Sequence, residues 1–287
     1  MTKDKENKKC IKKSIRLKSP SRLLKKKSKS CNRTGGCYNN FSVKMGVYVI
    51  NCSIHKDRLT KFKKYASKAN VKACRVPCIK GKQFTDEILC DMVKREFLKK
   101  SADMDRIEIS INLSHFNCWM KLLNSCLDYA LILEDDVELN SNFIDEINLI
   151  FQELNDNDID FSILHLFNGN WNKTKSKLKK VLKINDKLEI LKETVPYNAG
   201  AAGYIISRKY AEFLISKFFP INVPNDMLMG NYPKKGNHLT LFNKFNKRKD
   251  CYESPLFKMP CGGPEGTGIS TRVNISKTIK EKSCKSC

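Results

Sequence analysis

"YALILEDDVELN", residues Tyr129 to Asn140, sets an uncharged run directly against three consecutive acids. Leu131, Ile132 and Leu133 read as a buried strand, and Glu134, Asp135 and Asp136 follow with no turn residue between. Adjacent carboxylates repel and raise each other's pKa values, so crowding them at a strand end calls for a positive charge. In open α/β sheets, ligands gather beyond the carboxyl ends of the strands, which is where these acids fall. A hard, oxygen-rich cluster suits Mg²⁺ or Mn²⁺. A cation there could stabilise a departing diphosphate. The plainer alternative is a solvated acidic turn placed to favour the next helix N-terminus.

The segments on either side alternate between strand and helix patterns. "GVYVIN" (46–51) and "ACRVPCI" (73–79) read as strands, Pro77 suggesting an edge or bulge in the second. Residues 57–69, 86–99 and 108–127 carry helical spacing. "SNFIDEINLIFQEL" predicts a helix capped by Ser141. "DFSILHLF" (160–167) reads as a strand, 172–183 as a Lys-rich loop, "LEIL" and "AGAAGYIIS" (199–207) as strands, and 208–218 as a helix. Beyond Pro220 the composition predicts mostly loop. The alternation predicts an α/β domain with a mostly parallel sheet flanked by helices. Neither G-x-G-x-x-G nor G-x-x-x-x-G-K-[ST] occurs, which argues against dinucleotide and P-loop sites, and "CGGPEGTG" (261–268) reads as a loop.

The net charge of +24 over 287 residues is uneven. Residues 1–44 hold 15 Lys or Arg against two acids, a net of +13, and +11 is spread over the rest. The tail could be a handle for nucleic acid, anionic lipid or acidic glycan, or a solvated extension. With no aromatic platform beside the lysines, disorder with weak polyanion affinity is the expectation. The segmentation is then a basic tail (1–44), a central domain (45–275) and a basic Cys-containing tail (276–287). No stretch reaches the roughly 18 apolar residues of a membrane span, and no signal-peptide core is present. A cytoplasmic protein is the expectation. The 13 cysteines show no paired metal spacing beyond Cys284-Lys-Ser-Cys287, and are expected to be free thiols in a reducing compartment, with Cys118 and Cys126 as small core residues. The Lys-, Asn- and Ile-rich composition points to an AT-rich genome, such as a large DNA virus or a protist; a viral protein would sit in the host cytoplasm or the virion.

Several blocks in order carry a family resemblance across residues 46–257. They are "VYVINCSIHKDR" (47–58), "RVPCIKGK" (75–82), "IEISINLSHFNCW" (107–119), "LILEDDVELNSNF" (131–143), "AGYIISRKYA" (202–211) and "VPND" (223–226). Together they resemble glycosyltransferase family 25, which includes lipooligosaccharide and procollagen galactosyltransferases. The acidic block and the Leu-Ser-His-x-x-x-Trp spacing are the specific parts. The chain departs from the family pattern with Ile107, Ser110 and Ile111 in place of Gly, Gly and Cys, with Cys52 for Leu, and with Asn225 inserted between Pro224 and Asp226.

The resemblance implies a single GT-A-like, Rossmann-like domain, a UDP-sugar donor, Mn²⁺ or Mg²⁺, and inversion at the anomeric carbon. Carried over by motif, Asp136 leads as metal ligand, with Asp135 and Glu134 assisting. Asn51 and Arg58 fall near the nucleotide. An inverting transfer needs a general base for the acceptor hydroxyl; Asp226 is the first candidate and Glu108 the second, with His115 a further site residue. Simpler roles compete. Asn51 could tie strand to loop, Arg58 could pair with Asp57, His115 could be a structural hydrogen-bonding residue, and Trp119 fits the core better than a sugar platform. The expected reaction moves galactose or glucose to a glycan hydroxyl or to hydroxylysine of a collagen-like protein. The alternatives are a metal-dependent nuclease or phosphodiesterase, and a degenerate transferase domain acting as a polyanion binder.

Overall fold

The computed structural model describes residues 39–166, 178–196, 200–243, 252–253 and 256–259. Strand β1 (Met45–Asn51) leads through helix α1 (Lys56–Lys68) to β2 (Ala73–Pro77), a 3₁₀ turn at Gly81–Gln83, and helices α2 (Asp86–Lys94) and α3 (Arg106–Leu123). Then come β3 (Tyr129–Glu134), the short β4 (Glu138–Leu139), α4 (Phe143–Asp156) and the strands β5 (Ile163–His165), β6 (Leu178–Lys183), β7 (Leu188–Glu193) and β8 (Gly203–Ser207). Helices α5 (Arg208–Lys217) and α6 (Asn225–Gly230) precede β9 (His238–Asn243), and β10 (Tyr252–Glu253) and β11 (Phe257–Met259) are short.

Eight strands form one sheet in the order β2-β1-β3-β8-β5-β9-β7-β6. β1 pairs in parallel with β2 and β3, and β5 with β9. The other four pairings, β3–β8, β5–β8, β7–β9 and β6–β7, are antiparallel. The sheet is therefore mixed and majority antiparallel, which overturns the expected mostly parallel, GT-A-like arrangement. The reason lies after α4. Parallel neighbours need a long crossover, usually helical. Between β5 and β8 the described residues contain no helix, and β6 and β7 are joined as a hairpin by Ile184–Lys187. There Asn185 Oδ1 accepts from the amides of Lys187 and Leu188 and fixes the turn.

Other boundaries shift for local reasons. α2 stops at Lys94 because Glu96 takes a left-handed φ of 59°, which ends the helix and turns Phe97 and Leu98 into the core. Helix α4 starts from Asn142 with no side-chain cap, so Ser141 does not cap it. Residues 178–183, expected as loop, form edge strand β6, where exposed lysines guard an open edge. The region beyond Pro220 supplies β9, a strand inside the sheet. Pro77 does sit on an edge strand, β2.

One face of the sheet is apolar. Val47, Val49, Leu131, Leu133, Leu164, Ile205, Leu239 and Leu241 pack there with Phe62 and Ala66 of α1 and Phe143, Ile147, Ile150 and Leu154 of α4. α3 and α5 pack together, and both also contact the sheet. Arg208 at the start of α5 donates to the carbonyls of Leu123, Ser125 and Leu127, closing the end of α3. A Cβ on Gly81 would lie 3.0 Å from the Arg106 carbonyl, so glycine allows that turn to seat against the start of α3.

Cysteine chemistry differs from expectation. Cys52 and Cys78, just past the ends of β1 and β2, are joined by a disulfide, and Cys74, Cys90 and Cys126 are disulfide-bonded as well. Cys118 is the free, buried thiol among the described residues. The sequence showed cysteines without regular spacing; only the parallel register of β1 and β2 brings Cys52 and Cys78 within a Cα separation of 4.8 Å. Among the described residues, no helix is long and apolar enough to cross a membrane. The basic tail up to residue 38, the loop 261–268 and the C-terminal cysteine pair lie outside the described residues.

Candidate active site

β1 and β3 are parallel neighbours in register, with Ile50 opposite Glu134, so both strands end at one edge. Asn51 closes β1 and Glu134 closes β3. The acidic turn that follows is held on both sides: Glu134 N donates to Ala202 O at 2.9 Å, and β4 pairs with β11. Strand geometry thus fixes where the carboxylates stand.

Asn51 is 1% exposed and is the centre of a network. Its Nδ2 donates to Asp135 Oδ2 at 2.6 Å and to His55 O at 2.9 Å. Its Oδ1 accepts from Arg75 Nε at 2.9 Å, and its backbone carbonyl accepts from Arg75 Nη2 at 3.3 Å. Arg58, in the first turn of α1, reaches Asp135 Oδ1 at 3.3 Å and Asp136 Oδ2 at 3.8 Å rather than pairing with Asp57. Both oxygens of Asp135 are thereby engaged.

Asp136 differs. Its Oδ1 is buried and has no hydrogen-bond partner among the described residues. Burial, then the charges of Glu134 and Asp135, push its carboxyl up to about 6 against the opposing pull of Arg58. Glu134 is 35% exposed, with Oε1 3.7 Å from His115 Nε2. His115 lies buried on α3, and its Nδ1 is 2.8 Å from Tyr204 Oη on β8.

The fit to a divalent cation can be judged from these donors. Among the described residues, no three His, Cys, Asp or Glu side chains converge into a preformed cage. Asp135 is already committed to Asn51 and Arg58. Asp136 offers an orphaned, buried carboxylate oxygen, and Glu134 an exposed one. One or two carboxylates completed by phosphate and water oxygens are the normal environment of Mg²⁺-type ions in nucleotide sites, and this donor set fits that pattern.

The second half of the site hangs from α3. Its start is a capping box: Asp105 Oδ1 accepts from the amides of Ile107 and Glu108, and Glu108 Oε2 accepts from Asp105 N at 2.8 Å. Glu108 is thus engaged in holding the helix start. Asn112 donates to Val223 O at 2.7 Å and accepts from Asn225 N at 2.6 Å, which fixes the segment carrying Asp226. Asp226 stands in the first turn of α6 and accepts from Met227 N. Ser114 Oγ donates to Ser110 O and accepts from Ile79 N, tying α3 to the residues after β2. Trp119 is fully buried, and its Nε1 donates to Tyr204 Oη at 3.0 Å.

The structure therefore gathers Asn51, Arg58, Asp135 and Asp136 into one network and sets Glu134 beside His115. Glu108 and Asp226 make their own local bonds. The sequence did not single out Arg75, Asn112 or Tyr204. Arg75 carried a signal, a charged residue inside an apolar strand of a matched block; the other two depend on pairings between segments distant in sequence.

A sequence model of glycosyltransferase family 25 (LPS biosynthesis protein) matches residues 45–229. The chain belongs to glycosyltransferase family 25. The family 25 match includes every site residue named above. Relatives include a glycosyltransferase 25 family member of Anopheles gambiae, 32% identical over 103 residues, covering 34% of this chain and 17% of that protein. The lipooligosaccharide biosynthesis protein lex-1 of Haemophilus influenzae is 31% identical over 139 residues, covering 46% of this chain and 43% of its own. The matched stretches thus span 17% and 43% of these relatives' lengths. Among solved structures, the inositol-1-phosphate CTP transferase of T. maritima aligns over 69% of this chain and 65% of its own, with a TM-score of 0.30 and 11% identity.

Proposed function

We propose that the chain transfers a hexose, galactose or glucose, from a UDP-sugar to a hydroxyl group with inversion, assisted by Mn²⁺ or Mg²⁺. The observation that carries this reading is the unpartnered Asp136 oxygen at the strand edge, beside Asp135 fixed by Asn51 and Arg58. A bound cation would supply Lewis-acid stabilisation of the leaving diphosphate. Asp136 would hold it, with Glu134 at the exposed side. Arg58 and Arg75 place positive charge around the same edge, where the nucleotide's phosphates would add negative charge.

Asp226 is the proposed general base. Its place at the start of α6, steadied through Asn112, leaves one carboxylate oxygen beyond the Met227 bond to take the acceptor proton. The acceptor class is a glycan hydroxyl, as in lipooligosaccharides, or hydroxylysine in a collagen-like chain. Calorimetry with UDP-galactose and UDP-glucose, with and without Mn²⁺, tests the donor. Binding that needs Mn²⁺ and disappears in Asp136→Ala is the expected result; binding indifferent to both chelator and substitution would remove Asp136 from this role.

A further inference from the structure

We infer that Tyr204, working with Trp119, is a positioning residue that fixes the tautomer of His115 so that its Nε2–H faces Glu134. This inference rests on the proposed donor-site role of Glu134 only for its functional consequence, since the tautomer follows from hydrogen-bond chemistry alone.

The indole N–H of Trp119 can only donate. It lies 3.0 Å from Tyr204 Oη, so that oxygen is an acceptor on the Trp119 side. The Tyr204 hydroxyl proton is then free for its other neighbour, His115 Nδ1, at 2.8 Å. An Nδ1 that accepts this proton cannot carry one of its own in the neutral ring, which leaves the ring proton on Nε2. Nε2 is the nitrogen that faces Glu134 Oε1, at 3.7 Å.

Each donor in the chain Trp119–Tyr204–His115 has one direction. Reversing the Tyr204–His115 link would take from the Tyr204 hydroxyl proton its acceptor on His115 and set an unprotonated Nε2 against the Glu134 carboxylate. Bulk solvent does not reach these groups, because Trp119 and Tyr204 are 0% exposed and His115 is 1% exposed. The elements explain the sequence spacing: His115 and Trp119 are four residues apart on α3 and so share a face. Tyr204 comes from β8, whose pairing with β3 puts it opposite Ile132, two residues before Glu134. The polarity is thus set deep in the protein and delivered at the acidic edge. The 3.7 Å gap exceeds a direct hydrogen bond, and the half-exposed Glu134 carboxylate can close it by a small side-chain movement. Nε2–H would then hold Glu134 in one orientation while a donor binds.

The chain has four histidines, so one substitution, His115→Gln, assigns the His115 signals in ¹⁵N NMR of the ring nitrogens. In the full chain, at a pH where the ring is neutral, the expected species is Nε2–H with Nδ1 unprotonated. In Glu134→Gln it stays so, because the polarity is set from the Tyr204 side. In Tyr204→Phe, which keeps the ring but removes the hydroxyl, the preference is lost or reversed. A neutral wild-type His115 ring that carries its proton on Nδ1 overturns the inference. So does a preference that survives Tyr204→Phe but is lost in Glu134→Gln. Calorimetry supplies a separate arm: UDP-sugar affinity in Tyr204→Phe should fall roughly 3- to 10-fold, the worth of one hydrogen bond. A wild-type protein that binds no UDP-sugar would defeat the proposed function while leaving the tautomer result standing.

Discussion

At the scale of single residues, Asp136 and Asn51 make opposite demands. Asp136 has an unpartnered oxygen and a carboxyl pushed up to about 6, so its raised value favours folding at low pH. That contribution is fully present below its ordinary value and is lost as pH rises through about 6. A divalent cation competes with the proton for the same carboxylate. Mn²⁺ should therefore raise the melting temperature more at pH 7.5 than at pH 5. Asp136→Asn should abolish most of that difference, and equal shifts in both proteins at both pH values would contradict it. Asn51 is satisfied on every side. Asn51→Ala leaves Asp135 Oδ2 without its short bond and should cost about 2–3 kcal/mol in urea unfolding; a loss below about 0.5 kcal/mol would mean that water replaces the amide at no cost. The acids, Asn51 and Arg58 were legible because each closes or follows a recognisable strand. Arg75 and Tyr204 were not singled out, since their roles depend on partners 24 and 89 residues away, on β1 and α3.

At the scale of elements, α3 organises the site. Its residues bind the start of the helix, the segment after β2, the core of β8 and the loop before α6. Amphipathic spacing revealed the helix but gave Asn112 no role of its own. In the structure Asn112 holds both Val223 and Asn225, and with them the approach to Asp226. Asn112→Ala should destabilise the fold by about 2 kcal/mol, as one buried and one part-buried backbone group lose their partner. It should also lower kcat more than it weakens donor binding, because the donor-side network of Asn51, Arg58 and Asp135 is untouched. A variant with unchanged kcat and weakened donor affinity would separate Asp226 from catalysis. β9 was hidden for a related reason. "HLTLFN" is a short strand among Pro, Gly and Lys residues, and only its pairing with β5 and β7 makes it part of the sheet.

At the scale of the whole molecule, the mixed sheet brings together a second set of polar groups, remote in sequence from the acidic edge. His165 ends β5, Glu193 ends β7 and His238 opens β9, and all three are buried. Glu193 lies 3.9 Å from His165 Nε2 and 3.6 Å from His238 Nδ1, too far for direct hydrogen bonds. Burial lowers His165 to about 3, helped by His238, and lowers His238 to about 4, from an ordinary 6.5. Between about 6.5 and 4 the unfolded chain therefore binds protons that the folded protein refuses, and stability falls as pH drops, by about 1.4 kcal/mol per pH unit for each histidine. Glu193 acts in the opposite sense, because burial raises its carboxyl well above the ordinary 4.5. Its contribution is complete below 4.5 and is lost as pH rises through its raised value, so as pH falls towards 4.5 it offsets part of the histidine loss. Below 4.5 the carboxyl is protonated in both states and the offset stops growing. Urea unfolding from pH 7.5 to 3.5 should accordingly show a decline that steepens below about 4.5. Glu193→Gln keeps the shape of the neutral acid and removes its titration, so the variant's decline from about 6.5 should be steeper than the wild type's and converge with it in acid. Parallel curves across the whole range would show that Glu193 does not change protonation on folding.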